Sequence, residues 1–217
     1  AEVGFDLCGV TTAEPMPEEK ARFEQWLTGG NQGNLGYMER NCDKRFAPAL
    51  LVEGAESVIV CGLAYGVPDE AEGCTDGKRA KIAPYACRAD YHSVFRRLLP
   101  QLAERLGLNE KGIRWRAFTD SAPLAEKALA VRAGIGGIGR NSLLITEQFG
   151  SRVLLGELVV CAPADRYSEP LAQNPCSGCG LCVERCPASA ILPEGLTTLE
   201  GYAFQKCSSL TEAYIPS

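Results

Sequence analysis

Four cysteines in the last fifth of the chain are the residues whose type and spacing point most directly to chemistry. Cys176, Cys179, Cys182 and Cys186 stand in the segment CSGCGLCVERCP, which has the spacing C-x2-C-x2-C-x3-C-P. Bacterial ferredoxins hold 4Fe–4S clusters with this spacing of cysteine thiolates. We therefore predict a 4Fe–4S cluster here, which either transfers electrons or serves a structural purpose.

The number of clusters is left open by the cysteine count. In two-cluster ferredoxins the fourth cysteine of such a run serves the other cluster, and two clusters together need eight thiolates. Beyond residue 170 the chain contains only the four cysteines of the run and Cys207. Either one cluster binds, or the ligand set is completed by residues that this sequence lacks.

Zinc and disulfide interpretations of the cysteines fit the sequence less well. A structural zinc site needs two separated Cys/His pairs, and the only histidine is His92, far upstream. Disulfide frameworks are typical of short secreted domains, and no secretory signal is apparent at the start of the chain. We predict that the other cysteines outside the run are free thiols; they are Cys8, Cys42, Cys61, Cys74, Cys87 and Cys161.

Composition limits the domain organisation and the partners. The 217 residues are 46% apolar, which is enough for one core and a small appendage. The net charge of −5 gives no overall basic footprint for nucleic acid, although a local basic patch remains open. Because no apolar run reaches about 18 residues, we predict no membrane helix, and the many free cysteines favour a reducing, cytoplasmic location.

Strand-like and helix-like patterns alternate along the chain before the cysteine run. Helices are predicted at residues 15–27, 91–106 and 123–133, and strands at 58–65, 113–118, 142–146 and 153–160. Residues 66–80 are rich in turn-forming and acidic residues and predict a loop. The order predicts an α/β fold: a mixed α+β layered core over residues 1–168, with a sheet flanked by helices. A small ferredoxin-like iron–sulfur unit follows at 169–217.

A glycine-rich segment in the middle of the chain matches a nucleotide-binding fingerprint in the wrong context. Gly134-Ile-Gly-Gly-Ile-Gly139 has the pattern G-x-G-x-x-G, which indicates dinucleotide binding only when it follows a strand and opens a helix. Here a predicted helix precedes it and a predicted strand follows. We expect these glycines to permit a sharp turn, or the close approach of a large flat ligand.

Several segments, in order and spacing, resemble the epoxyqueuosine reductase family, and the resemblance covers nearly the whole chain. The segments that carry it are Gly36-Tyr-Met-Glu-Arg40, Lys44-Arg45, Asp90-Tyr-His92, Phe118-Thr-Asp-Ser-Ala-Pro123, Glu126 through Asn141, Gly150-Ser151 with Leu155-Gly-Glu157, the cysteine run, and Lys206 through Glu212. This resemblance implies a cobalamin-dependent, iron–sulfur enzyme that reduces the epoxide of epoxyqueuosine in tRNA to an alkene. A small redox protein is the expected electron donor.

The resemblance also implies roles for individual residues. Asp120, within Thr119-Asp120-Ser121, supplies a proton to the departing oxygen. Base-off cobalamin lies against the glycine-rich loop, whose predicted contact residues are Gly134, Gly136, Gly137, Gly139, Arg140 and Asn141. Ordinary turn chemistry is the alternative for Asn141, and capping of the following helix is the alternative for Asp120. His92 is expected to be hydrogen-bonded at the start of a helix.

For the clusters, the resemblance assigns Cys176, Cys179 and Cys182 to one and both Cys186 and Cys207 to a second. The other three ligands of the second cluster come, in the family, from a further C-x2-C-x3-C-P run, which this sequence does not contain. Helical repeats that help the longer family members hold tRNA are also absent from it.

Two alternative functions remain at the level of the sequence. An iron–sulfur module that transfers electrons without cobalamin accounts for the cysteine run alone. A corrinoid reductive dehalogenase accounts for the cluster and the cobalamin together, because that family shares the catalytic core. Cobalamin binding separates the first alternative from the reductase, and the substrate separates the second.

Overall fold

A four-stranded antiparallel sheet forms the centre of the molecule. The computed structural model describes residues 3–66, 83–87, 89–187 and 191. In spatial order the strands are β1 (Leu7–Thr12), β2 (Ser57–Ala64), β6 (Val153–Val160) and β3 (Trp115–Phe118). A separate two-stranded ladder consists of β4 (Gly137–Ile138) and β5 (Leu144–Ile145).

Helices cover both faces of the sheet, and shorter ones border the cleft described below. They are α1 (Pro17–Thr28), α2 (Cys42–Arg45), α3 (Tyr91–Arg105), α4 (Glu126–Arg132) and α5 (Leu181–Glu184). The Asp90 carboxylate caps α3 by accepting the backbone N–H of His92 at 3.0 Å. This satisfies one of the N–H groups that the first turn of a helix leaves without a partner.

Two apolar layers hold the helices on the sheet. On one face the buried Leu129 and Ala130 of α4 pack in a cluster with Val58, Val60 and Val159 of the central strands. On the other face Phe95, Leu98 and Leu99 of α3 pack in a second cluster with Cys61 and Leu158. Each fully buried aliphatic or aromatic side chain contributes about 1.5–3 kcal/mol. The core therefore fixes the start of α3 and the start of α4 relative to β3 and β6.

The predicted mixed α/β core is confirmed, with shifts at its element ends. The helix predicted at 123–133 begins only at Glu126, and the N–H of the preceding Ala125 bonds to the carbonyl of Arg45 at 2.9 Å. The strand predicted at 142–146 is limited to Leu144–Ile145. Strand β1 was not predicted, since LCGVTT has neither strong alternation nor a long apolar run. Most of the predicted loop at 66–80 lies outside the described residues.

The segment that follows the core is tied to the edge strand β1. Ser168 donates its N–H to the carbonyl of Val10, and the Val10 N–H donates in return to Ser168 Oγ at 3.0 Å. The domain boundary at 168/169 stays a prediction. Within the described ranges, no helix combines the length and the apolar character that crossing a bilayer requires.

Candidate active site

Asp120 lies just past the end of β3 in a backbone conformation that few side chains accept. Its φ is +52°, in the left-handed region, where aspartate and asparagine are among the better tolerated residues. Its N–H donates to Oε1 of Glu126 at 2.6 Å, and the preceding Thr119 donates its hydroxyl to the carbonyl of Leu155. The Asp120 side chain is 65% exposed, so its carboxyl group is open to a ligand.

The capping alternative for Asp120 is wrong. Helix α4 starts at Glu126, its N-cap position is Ala125, and no side chain caps it. Asp120 instead meets the start of α3, where the hydroxyl of Tyr91 donates to its Oδ2 at 2.9 Å. Asp120 therefore connects the turn after β3 with the start of α3.

His92 completes the group of polar side chains at the start of α3, as the sequence predicted. Its Nε2 lies 3.7 Å from Oδ2 of Asp120, and its Nδ1 lies 2.7 Å from Oδ1 of Asp90. The hydrogen bonds with His92 lower the pKa of Asp90. The rings of Tyr91 and His92 stack with centroids 4.1 Å apart. Burial, followed by the hydrogen bond to Asp120, raises the pKa of Tyr91, so its hydroxyl remains a donor near neutral pH.

Two further carboxyl groups lie behind Asp120. Glu126, in the first turn of α4, is held next to Glu157, which is fully buried in the middle of β6. Burial is the main reason that the pKa of Glu126 rises to about 7. Burial, and then the neighbouring Glu126, raise the pKa of Glu157 well above its usual range.

A cleft of about 1060 Å³ opens in front of these residues. Residues 120–128 form one wall, with Ile138 and Ser142 of the glycine-rich segment beside them. The other walls carry aromatic and cationic side chains, namely Phe23, Trp26, Tyr37, Arg22, Arg40, Arg45 and Arg132. This volume stands at the upper end of the range for small-molecule sites, about 300–1,000 Å³. The cleft therefore suits a large, anionic or aromatic ligand.

Three of these arginines differ in the partners of their side chains. Arg132 donates to the carbonyl of Glu14 at 3.0 Å, and Arg22 pairs with Glu19 at 3.3 Å. The guanidinium of Arg45 lies 5.3 Å from the ring centre of Phe23, and its buried Nε has no hydrogen-bond partner among the described residues. Arginine combines this stacking with bidentate anion recognition, so this wall favours ligands with phosphate or carboxylate groups.

The predicted contact glycines approach the protein's own chain closely. A Cβ at Gly137 would lie 2.5 Å from Oδ1 of Asn174, and one at Gly134, whose φ is +69°, would clash with the carbonyl of Glu169. Gly136 and Gly139 pack in the same way against Ile145. The glycines thus let the segment that leads to the cysteines lie on the loop, and cobalamin contact at these four positions stays a prediction.

The two polar residues that follow the glycines also form part of the turn. Oδ1 of Asn141 accepts the N–H of Leu143 at 3.2 Å, which is the ordinary turn chemistry that the sequence left as an alternative. Arg140 is half-buried at the end of this turn. The loop reaches the cleft through Ile138 and Ser142 rather than through its glycines.

The cysteine run follows a polar anchor on the glycine-rich loop. Asn174 donates to the carbonyl of Ile138 at 2.8 Å and accepts the N–H of Cys176 at 3.0 Å. Cys179 lies on the turn that follows, and Cys182 and Cys186 lie in and just after α5. Among the described residues, no three metal-ligand side chains converge, and Cys207 falls outside those residues. The donor set itself, thiolates at ferredoxin spacing, fits a 4Fe–4S cluster.

Sequence reasoning missed the roles of Tyr91, Glu126 and Glu157 around Asp120. For Glu157 a signal was present, since it interrupts the otherwise apolar strand VLLGELVV. Glutamate is almost never fully buried unless it is paired. No comparable signal distinguishes Glu126 or Tyr91, because only the packing of α3 and α4 on the sheet brings them to Asp120.

Comparison with known protein families supports the resemblance seen in the sequence. Residues 45–121 match the family described as "Epoxyqueuosine reductase QueG, DUF1730". Residues 173–192 match the family described as "4Fe-4S binding domain", which confirms the predicted cluster motif. The first match includes β2, α3 and β3 with Asp120, and the second includes all four cysteines of the run.

Individual relatives extend the match over most of the chain. An epoxyqueuosine reductase of Leadbetterella byssophila is 38% identical over 193 residues, which are 89% of this chain and 62% of that protein. The structure of an epoxyqueuosine reductase from Bacillus subtilis, with its catalytic aspartate loop swung out of the active site, has 31% identity and a TM-score of 0.76. A further one, with a tRNA-Tyr epoxyqueuosine-modified stem loop, has 29% identity and a TM-score of 0.71. In both structural matches 88% of this chain aligns with 50% of the other.

Proposed function

We propose that this chain, which belongs to the epoxyqueuosine reductase family, carries the catalytic part of an enzyme that reduces epoxyqueuosine in tRNA to queuosine. The chain spans about three fifths of the Leadbetterella relative and half of the two solved relatives. In this proposal, residues 1–168 are the reductase core and 169–217 the iron–sulfur segment. The enzyme is located in the cytoplasm in this proposal, and a small redox protein supplies its electrons.

One arrangement carries the proposal: Asp120 lines a large cleft, Tyr91 of α3 donates to its carboxyl group, and Glu126 of α4 accepts its backbone N–H. Reduction of an epoxide to an alkene consumes two electrons and two protons and releases the oxygen as water. Asp120 is the proton donor to that oxygen. Since Oδ2 accepts the hydroxyl of Tyr91 at 2.9 Å, the transferred proton is carried on Oδ1. Tyr91 then stabilises the carboxylate that remains.

The loop that carries Asp120 is suited to opening and closing. In the Bacillus subtilis relative the catalytic aspartate loop swings out of the active site. We assign the same behaviour to the turn at residues 119–121 of this chain. Its contacts to Tyr91, Glu126 and Leu155 define the closed arrangement.

The cofactors supply the electrons. Cobalamin, when bound in the cleft, supplies a reduced cobalt centre, and the iron–sulfur cluster supplies single electrons to it. We assign Ile138 and Ser142, which line the loop edge of the cleft, to cobalamin. Arg140 and Asn141 are assigned to it on the family resemblance, since they follow in the same loop and are not lining residues of the cleft. Cys176, Cys179 and Cys182 hold the first cluster, and Cys186 and Cys207 supply ligands of a second. The cleft, of about 1060 Å³, has the size for a large cofactor.

The wall opposite Asp120 suits an RNA loop. Arginine side chains bind phosphates, and aromatic side chains stack on unpaired bases. Trp26 and Tyr37 are 36% and 54% exposed, and Arg22, Arg40 and Arg45 line the same cleft. One solved relative was crystallised with an epoxyqueuosine-modified tRNA stem loop. We therefore assign the anticodon stem loop of tRNA as the substrate.

The test is anaerobic purification followed by metal analysis and a turnover assay. Iron and a cobalamin spectrum after titration with hydroxocobalamin are expected, together with conversion of an epoxyqueuosine stem loop under a strong chemical reductant. Iron without cobalamin binding would show an electron-transfer module instead. Dehalogenation of a bromophenol, with no conversion of the stem loop, would show a dehalogenase.

A further inference from the structure

Glu157 is a carboxyl group in the centre of the apolar core, and the reaction proposed above does not use it. It is fully buried in β6, and neither of its oxygens has an N–H or O–H donor among the described residues. Its carboxyl group contacts that of Glu126 in α4. An ionised carboxylate in such a place, without a donor, would cost several kcal/mol.

Two carboxyl groups in contact form a hydrogen bond only when one of them carries a proton, because an ionised carboxylate has no donor. The difference in burial between the two groups indicates which of them carries the proton. Glu157 is the deeper group, and burial raises its pKa well above the usual range, whereas the pKa of Glu126 rises only to about 7. Glu157 therefore stays protonated, and its O–H group donates a hydrogen bond to Glu126.

Glu126 in turn holds the catalytic turn. Its Oε1 accepts the N–H of Asp120 at 2.6 Å, the shorter of the two hydrogen bonds that reach this residue from other elements. An N–H group that donates to an ionised acceptor makes a stronger bond than one that donates to a neutral acceptor. This contact fixes the backbone of Asp120 at its φ of +52°.

We propose that Glu126 and Glu157 act as one positioning unit for Asp120, in which protonated Glu157 donates to Glu126 and Glu126 accepts the backbone N–H of Asp120. The bond from the Asp120 N–H to Glu126 and the burial of Glu157 without a donor are features of the structure. The bond from Glu157 to Glu126 is the inferred part of the unit, and the value of the unit for catalysis rests on the function proposed above. Glu126 and Glu157 are positioning residues, since they act through the backbone N–H of Asp120.

The charged and titratable groups that face this unit come from three elements. Asp120 lies on the turn after β3, Tyr91 and His92 lie at the start of α3, and Cys61 lies on β2. Of these four, only His92 can become cationic. As pH rises through about 7, Glu126 ionises and its bond to the Asp120 N–H tightens, while the proton on Glu157 stays in place.

The backbone amide of Asp120 is a direct reporter of this unit. We suggest measuring its chemical shift and its hydrogen exchange by NMR on the 217-residue chain labelled with [15N]aspartate. In the unsubstituted protein the amide should be protected and should shift downfield with a midpoint near pH 7. In Glu126→Gln the protection should remain, because the amide oxygen still accepts the N–H, but the titration should vanish.

Substitutions at Glu157 separate a hydrogen-bonded unit from simple core packing. Glu157→Gln keeps a donor, its NH₂ group, and should keep the protection of the Asp120 amide. Glu157→Leu fills similar volume without a donor, and that protection should fall roughly ten- to a hundredfold, the effect of losing a hydrogen bond to a charged group. The exposed Glu147→Gln is the matched control and should behave as the unsubstituted protein.

The same variants should split the kinetic constants. Glu157→Leu is expected to lower kcat with little change in KM, and Glu157→Gln to restore it. An Asp120 amide that exchanges equally fast in the unsubstituted protein and in Glu157→Leu, or a titration that survives Glu126→Gln, overturns the positioning unit. If Glu157→Leu does not fold, the pH dependence of the Asp120 amide shift in Glu126→Gln is the test of the positioning unit. A protected, titrating amide without any epoxide reduction would overturn the proposed function and leave the unit standing.

Discussion

The hydroxyl of Tyr91, at the start of α3, donates a hydrogen bond to Oδ2 of Asp120, which follows β3, across 2.9 Å. The two residues are 29 positions apart in the chain, so this bond forms only because α3 packs on the sheet that contains β3. Oδ1 of Asp120, which we assign to proton transfer, takes no part in this bond. The orientation of the proposed acid is thus set by the core rather than by its neighbours in sequence.

Asp120→Asn should abolish chemistry and leave the fold intact. Asparagine tolerates the left-handed backbone as aspartate does, and it can still donate and accept hydrogen bonds, but it cannot release a proton. We expect turnover of an epoxyqueuosine stem loop to fall by roughly a hundred- to ten-thousandfold, the usual contribution of a general acid. Iron content and cobalamin binding should be unchanged.

The matched control for that variant is Asp43→Asn, which alters a surface aspartate that pairs with Lys20. Exposed ion pairs are worth about 0–1 kcal/mol, so activity and stability should change little. Full activity in Asp120→Asn would show that Asp120 is not the acid.

Tyr91→Phe should slow the reaction without stopping it. The ring still stacks on His92, but Oδ2 of Asp120 loses its donor. A lost hydrogen bond of this kind costs about 1 kcal/mol, which is roughly a fivefold lower rate constant. Stopped-flow or steady-state kinetics on the stem loop measure the change, and an unaltered kcat would contradict the orientation role of Tyr91.

Cys179→Ala should remove the iron–sulfur chromophore. Cys179 is the second thiol of the ferredoxin run, and a 4Fe–4S cluster depends on all of its cysteine ligands. Iron per chain and the visible absorbance of anaerobically purified protein should fall to near zero. Cys161→Ala, just after β6 and outside the run, is the control and should retain both. Equal iron in the two variants would refute the assignment.

The stability of the core should fall as pH rises above about 4.5. The pKa values of Glu126 and Glu157 are raised in the folded chain, to about 7 and well above 4.5, so the folded state binds more protons than the unfolded state. Stabilisation is complete below the unfolded pKa of 4.5 and declines towards pH 7 and beyond. Denaturant unfolding at pH 5, 6, 7 and 8 measures this slope.

The variant Glu157→Gln tests whether Glu157 causes this pH dependence of the unfolding free energy. Glutamine needs no proton to be buried, so the variant should be more stable than the unsubstituted protein at pH 8, where the raised pKa of Glu157 makes the buried carboxyl group costly. Its unfolding free energy should also depend less on pH. Parallel slopes in the two proteins would mean that Glu157 does not hold a proton in the folded state.

Two glycine substitutions should show that the linker to the cysteines is packed on the glycine-rich loop. Gly134 and Gly33 both have left-handed φ values, +69° and +53°, so alanine at either costs about 1–2 kcal/mol in backbone strain. Only Gly134 has a neighbour, the carbonyl of Glu169, in the path of a Cβ. Gly134→Ala should therefore cost about 1–3 kcal/mol more than Gly33→Ala, the range for overpacking. Equal losses in thermal or denaturant unfolding would show that the linker does not rest on this loop.

Spacing and local patterning within the sequence determined the cluster motif and most of the core elements. The run at Cys176–Cys186 is legible because four thiols within eleven residues need only a turn and a short helix to approach one another. Strand β6 can be predicted because it is a short, nearly continuous apolar run, and helix α3 because its apolar side chains repeat with the helical period. Glu157 is visible as the exception within the apolar run of β6, although its purpose is not.

Only the tertiary structure decided how the candidate site is assembled. Tyr91, Asp120, Glu126 and Glu157 come from α3, the turn after β3, α4 and β6, and sequence patterns carry no information on contacts between such distant segments. The packing also gave the glycine-rich loop a purpose that its motif did not predict, which is to receive the linker at Asn174. The physical reason is common to both cases. Local periodicity reflects which face of an element is buried, whereas the partners on that face depend on how all the elements pack together.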